Sequence, residues 1–202
     1  FRLKRVKSIN SSGHKYGLVY PGVGWVMWRE PEDLPQDLVF NVNYLGGNMP
    51  TFALNFSRPG SQIIAQYYNF LRLGFLGYKA IQQQCRNVAM FLSAEIAAMG
   101  PFELQSDGSE LPVFFFTLKD SVKNYSVYDV SDKMREYGWQ LPAYSLPADM
   151  EQMSGLRVVV RNGMGHSFAG LMLRDLRRVV DNFERLSGPL PDELANDQTF
   201  HH

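Results

Sequence analysis

A cluster of hydrogen-bond donors directly precedes one lysine near the start of the chain. Residues 8–17 read Ser-Ile-Asn-Ser-Ser-Gly-His-Lys-Tyr-Gly, and the lysine is Lys15. Hydroxyl, imidazole and backbone N–H groups are donors that can hold a phosphate group. A lysine with a neutral amine is a nucleophile that forms a Schiff base with a carbonyl compound. The segment therefore indicates a phosphate-binding turn that carries a reactive lysine, although most lysines in proteins are solvated surface residues.

Short strands and turns are expected to position this lysine. Residues 6–10 and 24–29 are predicted as strands, with a turn or short strand over 17–22 between them. Residues 41–50 contain Leu-Gly-Gly-Asn and a proline, a composition that is typical of a flexible loop. Lys15 is thus expected at a strand-to-turn junction.

Two helices are predicted next, over 61–73 and 78–99, and the second is followed by Gly100 and Pro101. Apolar side chains of the second helix recur at spacings of three and four residues, which is typical of a helix with one buried face. These side chains are Ile81, Cys85, Val88, Leu92, Ile96 and Met99.

A separate αβ unit is predicted over residues 100–188. Ser126 is expected to cap a helix that runs to residue 137, and Ser167 a last helix that runs to residue 186. Strands are predicted at 102–105, 111–118, 139–144 and 156–161. The expected fold class is α/β, with a β-rich part over 1–77, a linking helix over 78–99, this αβ unit, and a polar tail over 189–202.

The composition excludes several classes of protein. Of the 202 residues 45% are hydrophobic, as in globular proteins, and no apolar run approaches the ~20 residues that span a bilayer. Twenty basic and twenty acidic residues cancel, which argues against general nucleic-acid binding. The single cysteine, Cys85, excludes an intrachain disulfide and a cysteine-based zinc site and fits the cytoplasm. Because Phe1 is not an initiator methionine, the chain is expected to begin within a longer protein.

Several motifs follow one another in register along nearly the whole chain. They are Ser-Gly-His-Lys-Tyr-Gly at 12–17, Gly-Val-Gly-Trp-Val at 22–26, Leu-Val-Phe-Asn-Val-Asn-Tyr-Leu-Gly-Gly at 38–47, Asn-Phe-Ser-Arg-Pro at 55–59, Gln-Tyr-Tyr-Asn-Phe-Leu-Arg at 66–72, Gly-Trp-Gln-Leu-Pro-Ala at 138–143 and Val-Val-Val-Arg at 158–161. Together they resemble the pyridoxal 5'-phosphate (PLP)-dependent glutamate decarboxylases of bacterial and plant type, within the group II amino acid decarboxylases. The resemblance implies part of a PLP-dependent type I fold, namely the end of the large domain at 1–77 and the small C-terminal αβ domain at 100–188.

The resemblance also implies roles for residues near the cofactor. Lys15 would form the Schiff base with PLP, while Ser12 and His14 would contact its phosphate. Without the resemblance, Ser12 could only shape the turn, and His14 could be a hydrogen-bonded buried histidine. Phe56 and Ser57 match residues that reach the phosphate of the neighbouring subunit, which implies a homo-oligomer that shares active sites. The simpler interpretation of Phe56 is a core residue, which is compatible with that role.

Three further roles follow from the resemblance. Tyr44 would protonate the substrate carbon from a loop that closes over the site, unless it only anchors the loop by packing. Arg161 would bind the α-carboxylate of the substrate, and its simpler interpretation is an exposed ion pair. The terminal His202, or else His201, would close the site at neutral pH and open it in acid, a behaviour linked to acid resistance. The two histidines are also compatible with the remnant of a purification tag.

The implied activity is decarboxylation of L-glutamate to 4-aminobutyrate and CO2, carried out with a missing N-terminal portion that holds the rest of the site. One alternative is a catalytically incomplete fragment with a structural or dimerisation role. Another is a different reaction on the same fold, by an aminotransferase or a related amino acid decarboxylase. No metal site is expected. The acidic residues present are interpreted as solvated residues of loops or helix faces, and they include Asp33, Asp37, Asp129 and Asp175.

Overall fold

The chain divides into two compact units, Phe1–Tyr78 and Lys79–His202. The structure is a computed structural model that describes residues 1–43, 46–55, 57–186 and 188. None of the helices in this described part is long and apolar enough to cross a membrane.

The strands of the first unit form two small antiparallel sheets. Strand β1 (Ser8–Ser12) pairs with β2 (Gly24–Trp28), so both predicted strands exist, although β1 lies two residues later than expected. Strand β3 (Phe40–Val42) pairs with β4 (Met49–Thr51). The prediction of a loop over 41–50 is therefore wrong at both ends. Three-residue strands carry almost no periodicity, and a proline is tolerated in a strand with a free edge.

Helix α1 (Ser61–Ala97) is interrupted at Gly74, where φ is 55° and ψ is −171°. Two helices in this region were the expectation from the sequence, and the interruption confirms it. A positive φ is accessible to glycine at little cost, so Gly74 permits the break.

The second unit contains a four-stranded antiparallel sheet in the order β5-β6-β8-β7. Its strands are β5 (Phe102–Leu104), β6 (Val113–Leu118), β7 (Ala143–Ser145) and β8 (Ser154–Val159). The strand predicted over 139–144 is thus wrong for residues 139–142. Pro142 has no N–H to donate to a neighbouring strand, and only its carbonyl pairs, with Arg157 N at 3.2 Å.

Two helices pack with this sheet. Helix α2 (Val127–Glu136) is capped at its N-terminus by Ser126. The Ser126 hydroxyl accepts a hydrogen bond from Asp129 N, and the Asp129 carboxylate accepts one from Ser126 N, so the predicted cap is confirmed. Helix α3 (His166–Glu184) is capped by the extended backbone of Gly165. The prediction that Ser167 caps it is wrong, because the helical hydrogen bonds already begin with Ala169 N donating to Gly165 O at 3.0 Å.

A core made by α1, the sheet, α2 and α3 holds the second unit together. The rings of Phe102 and Phe116 meet edge to face, with centroids 5.1 Å apart. Cys85 lies in this core, and burial raises the pKa of its thiol. The largest fully buried side chains are Phe102, Phe114, Phe116, Leu92, Ile96, Met134, Leu156, Leu176, Val88, Val130 and Val179.

Asp175 contradicts the interpretation of the acidic residues as solvated. It is only 7% exposed, its carboxylate accepts from Trp139 Nε1 at 3.0 Å, and Arg174 Nε lies 3.3 Å from it. The hydrogen bond from Trp139 is the main cause of a lowered pKa of Asp175, and the two arginines Arg174 and Arg178 add to it. Sequence periodicity could not show this, because the partner Trp139 lies 36 residues away.

The lowered pKa of Asp175 predicts a pH-dependent stability. The ionised carboxylate stabilises the fold above its unfolded pKa of about 3.9, and the contribution is lost as the pH falls through the lower folded pKa. We expect Asp175→Asn to reduce the free energy of unfolding at pH 7 by about 1–2 kcal/mol, and by progressively less below pH 4. Urea denaturation at several pH values across this range measures the free energy of unfolding. Asp132→Asn is the control, since Asp132 makes an exposed ion pair, and an equal loss in both variants would contradict the prediction.

Candidate active site

The turn that carries Lys15 is tied to itself and to the neighbouring strand. Lys15 N and Gly17 N both donate to Ser12 O at 3.2 Å, which closes the turn after β1. Gly13 N donates to Val23 O at 2.8 Å, and Val19 N donates to Gly13 O at 3.0 Å. These bonds fix the backbone on both sides of the lysine.

Two buried glycines make so tight a turn possible. A Cβ on Gly13 would lie 2.7 Å from Val23 O, and a Cβ on Gly17 would lie 2.7 Å from Gly13 Cα. No side chain fits at either position without a backbone shift. The two glycines of the Gly-His-Lys-Tyr-Gly motif are therefore a steric requirement of the turn.

The turn presents three polar side chains within four residues. Ser12 is half-buried, while His14 and Lys15 are exposed in the described part of the chain. Among the described residues, none makes a hydrogen bond or an ion pair with Lys15 Nζ. A primary amine, a hydroxyl and an imidazole within four residues form a donor set that fits a carbonyl compound bearing a phosphate. In the described part of the chain, no group of acidic, histidine or cysteine side chains could hold a metal ion.

Side chains of α1 hold the end of the turn. Gln66 and Tyr78 both donate to Gly17 O, at 3.0 and 2.8 Å, and Asn69 Nδ2 donates to Leu18 O at 2.8 Å. Leu18 has a φ of 60°, which is rare for a residue with a side chain. Sequence reasoning missed these contacts. Gln66 and Asn69 lie in the 66–72 motif, but nothing in that motif indicates what they bind.

Strand β8 of the second unit positions Arg161. The hydrogen bonds of the sheet continue past Val159, because Val160 N donates to Pro112 O at 2.9 Å. Val160 is 2% exposed, whereas Arg161 is exposed and begins a turn in which Met164 N donates to its carbonyl at 3.1 Å. The strand was predicted to run to Arg161, but it ends at Val159. The guanidinium is thus presented just beyond the end of a well-packed strand.

The other predicted site residues divide into two groups. Ser57 is exposed on a bend of the first unit. Tyr44, Phe56, His201 and His202 lie outside the described residues.

Ionic contacts support the other end of β1. Lys7 Nζ lies 2.8 Å from the carboxylate of Asp33, and this hydrogen bond lowers the pKa of Asp33. Arg29 Nε donates to Val6 O at 2.9 Å, and the guanidinium lies 5.3 Å from the ring centroid of Phe1. Asp33 is therefore a structural ion-pair partner, and its interpretation as a solvated residue is wrong.

The chain is similar to several known proteins in sequence and in fold. The chain is 52% identical over 187 residues to a glutamate decarboxylase of Aliivibrio fischeri, covering 92% of this chain and 40% of that protein. A glutamate decarboxylase of Solanum lycopersicum is 50% identical over 195 residues, covering 96% of this chain and 39% of that protein. The solved structure of a Lactobacillus brevis glutamate decarboxylase superposes with a TM-score of 0.83 at 48% identity, covering 92% of this chain and 42% of that one.

The fold is that of part of a PLP-dependent type I enzyme, and the chain spans about 40% of the length of the relatives it matches. Residues 1–119 match the pyridoxal-dependent decarboxylase conserved domain. The chain belongs to the pyridoxal-dependent decarboxylase family, whose cofactor is pyridoxal phosphate.

Proposed function

We propose that this chain is the C-terminal portion of a PLP-dependent glutamate decarboxylase, which converts L-glutamate to 4-aminobutyrate and CO2. The observation that carries the proposal is its 52% identity to a glutamate decarboxylase over 92% of the chain, with Lys15 presented on a tied turn. In this proposal residues 1–77 end the cofactor-binding domain, 78–99 form a linking helix, and 100–188 form the small domain.

Each residue at the site has a distinct task in this proposal. Lys15 would hold the cofactor through its amine, and Ser12 and His14 would donate to its phosphate. When bound, the cofactor would supply an electron sink for the substrate carbon that loses CO2. Arg161 binds the α-carboxylate through a planar fork of N–H donors. The roles expected of Tyr44, Phe56, His201 and His202 are part of the same proposal.

The surface of the first unit supports assembly with the rest of the enzyme. Large apolar side chains are exposed along one stretch of α1, and they are Ile63, Ile64, Tyr67, Tyr68, Phe70, Leu71, Phe75 and Leu76. An exposed apolar stretch of this size is typical of a surface that another part of the protein covers. We propose that the remainder of the cofactor-binding domain covers it. Ser57 then reaches the site of a second subunit in a cytoplasmic homo-oligomer.

A substrate panel tests the proposed reaction in the complete enzyme. Release of CO2 is measured with L-glutamate, L-aspartate, L-histidine and an aromatic amino acid, and 4-aminobutyrate is quantified. We expect release from glutamate alone, together with a yellow protein whose visible absorbance disappears on borohydride reduction. Release from an aromatic amino acid, or transamination without CO2, would assign a different reaction to the same fold.

A second candidate function follows from the fraction of its relatives' length that the chain spans. Because the chain matches about 40% of their length, it could serve by itself only as a structural or dimerisation piece. Purified residues 1–202 would then be colourless after incubation with pyridoxal phosphate and would not release CO2 from glutamate. A yellow, active preparation of the same polypeptide would exclude this candidate.

A further inference from the structure

We infer that Gln66 and Tyr78 are positioning residues for Lys15, because together they hold the backbone carbonyl that ends the lysine's turn. The inference rests on the proposed function, in which the Lys15 amine is the nucleophile. It gives α1 a positioning role that is not part of the proposed reaction.

The three groups form a closed triangle of hydrogen bonds. Gln66 Nε2 donates to Gly17 O at 3.0 Å and to Tyr78 Oη at 2.9 Å, and Tyr78 Oη donates to Gly17 O at 2.8 Å. Both hydrogens of the amide nitrogen are used, and the carbonyl accepts two bonds. A carbonyl held by two donors that also bind each other has little freedom to rotate.

The triangle is coupled to Lys15 through the backbone. Gly17 N donates to Ser12 O, and the same oxygen accepts from Lys15 N, each at 3.2 Å. Movement of residue 17 would therefore break the bond that closes the turn around the lysine. The next residue, Leu18, has a φ of 60°, a conformation that persists only where the surroundings hold it. The carbonyls of both residues are held by α1 side chains.

Burial makes this arrangement specific to the residue types present. Gln66 is 2% exposed, and a buried amide is unfavourable unless its donors are bonded. Gln66 Oε1 has no hydrogen-bond partner among the described residues, and a Cβ on Gly17 would collide with it. Burial raises the pKa of Tyr78, so its hydroxyl stays protonated and able to donate. An apolar side chain at position 66 would fill the space without holding the turn.

Two near-isosteric variants of the complete enzyme test the inference. Gln66→Met removes the amide, and Tyr78→Phe removes one oxygen and keeps the ring beside Phe70, whose centroid lies 5.7 Å away. We expect kcat to fall about tenfold, while KM for glutamate changes less than about twofold, because the lysine is misplaced and glutamate binding is unchanged. The pH midpoint of the cofactor's visible band should also shift.

Hydrogen exchange supplies a readout that is independent of the cofactor and the substrate. Exchange in a peptide covering residues 12–20 should accelerate about tenfold in both variants, with no change over 113–118. The double variant should resemble either single one, since the three groups act as a unit. The matched controls are Gln84→Met and Tyr137→Phe, both at exposed positions, and they should behave as wild type.

The outcomes separate this inference from the proposed function. If the thermal midpoint falls while exchange over 12–20 and the kcat stay at wild-type values, the pair only stabilises the fold, and the inference is wrong. A wild-type enzyme that does not decarboxylate glutamate would contradict the proposed function, whereas the exchange rates still report on the turn. If Gln66→Met does not fold, Tyr78→Phe by itself decides the question.

Discussion

Replacement of Lys15 by alanine is expected to lower kcat for glutamate roughly 10⁵-fold in the complete enzyme, because a covalently held cofactor would be replaced by a freely dissociating one. The turn should survive the change, since the lysine side chain makes no hydrogen bond or ion pair to a described residue and is exposed. Steady-state kinetics and circular dichroism, measured on the same preparation, separate loss of chemistry from loss of fold.

Two companion variants sharpen the test of Lys15. Lys15→Arg keeps the positive charge but replaces the primary amine with a guanidinium, which does not form a Schiff base, so we expect a loss as large as that of Lys15→Ala. Lys4→Ala removes an exposed lysine of the same unit and should leave kcat unchanged. Retention of a visible absorbance that borohydride removes in Lys15→Ala would show that another amine holds the cofactor.

Replacement of Arg161 by glutamine is expected to lower kcat/KM for glutamate about 10²- to 10³-fold. A carboxylate loses a bidentate, charge-assisted partner in this variant, and such hydrogen bonds are among the strongest in proteins. Arg161→Lys should recover only part of the loss, because an ammonium group cannot reproduce the planar fork. Inhibition constants for a dicarboxylate that mimics glutamate measure the binding component separately.

A neighbouring arginine provides the control for Arg161. Arg157 lies on β8 itself, is exposed, and has its guanidinium 5.5 Å from the ring centroid of Tyr144. We expect Arg157→Gln to change kcat/KM less than about twofold, since its contact is with a protein side chain. Equal effects of Arg157→Gln and Arg161→Gln would indicate a general electrostatic contribution and would contradict a specific carboxylate contact.

The elements that sequence reasoning placed correctly are those with strong local signals. The second part of α1 has a long apolar periodicity, and α2 has a capping box made by Ser126 and Asp129. The elements placed wrongly depend on partners elsewhere in the chain. Strands β3 and β4 exist only as a pair, and α3 begins at a glycine whose backbone geometry, rather than its side chain, starts the helix.

The candidate site divides in the same way. A motif indicates Lys15 and its neighbours as candidates, because the residues proposed to act on one group lie close together in the sequence there. The side chains that hold the turn come from Gln66 and Tyr78, and their contacts with Gly17 span 49 and 61 positions. No local sequence pattern indicates a contact between residues that are so far apart in the sequence. Only the fold shows that a glutamine within a recognisable motif has a backbone carbonyl as its partner.

The single cysteine gives the protein a chemical probe of its own. Cys85 is 5% exposed in the core of the second unit, and its thiol is held in the unreactive protonated form by burial. A thiol reagent would therefore modify it only when that unit opens, so the labelling rate would report the opening equilibrium of residues 79–186 without any engineered label. The first unit contains no cysteine, and damage confined to the lysine-bearing turn would leave this rate unchanged.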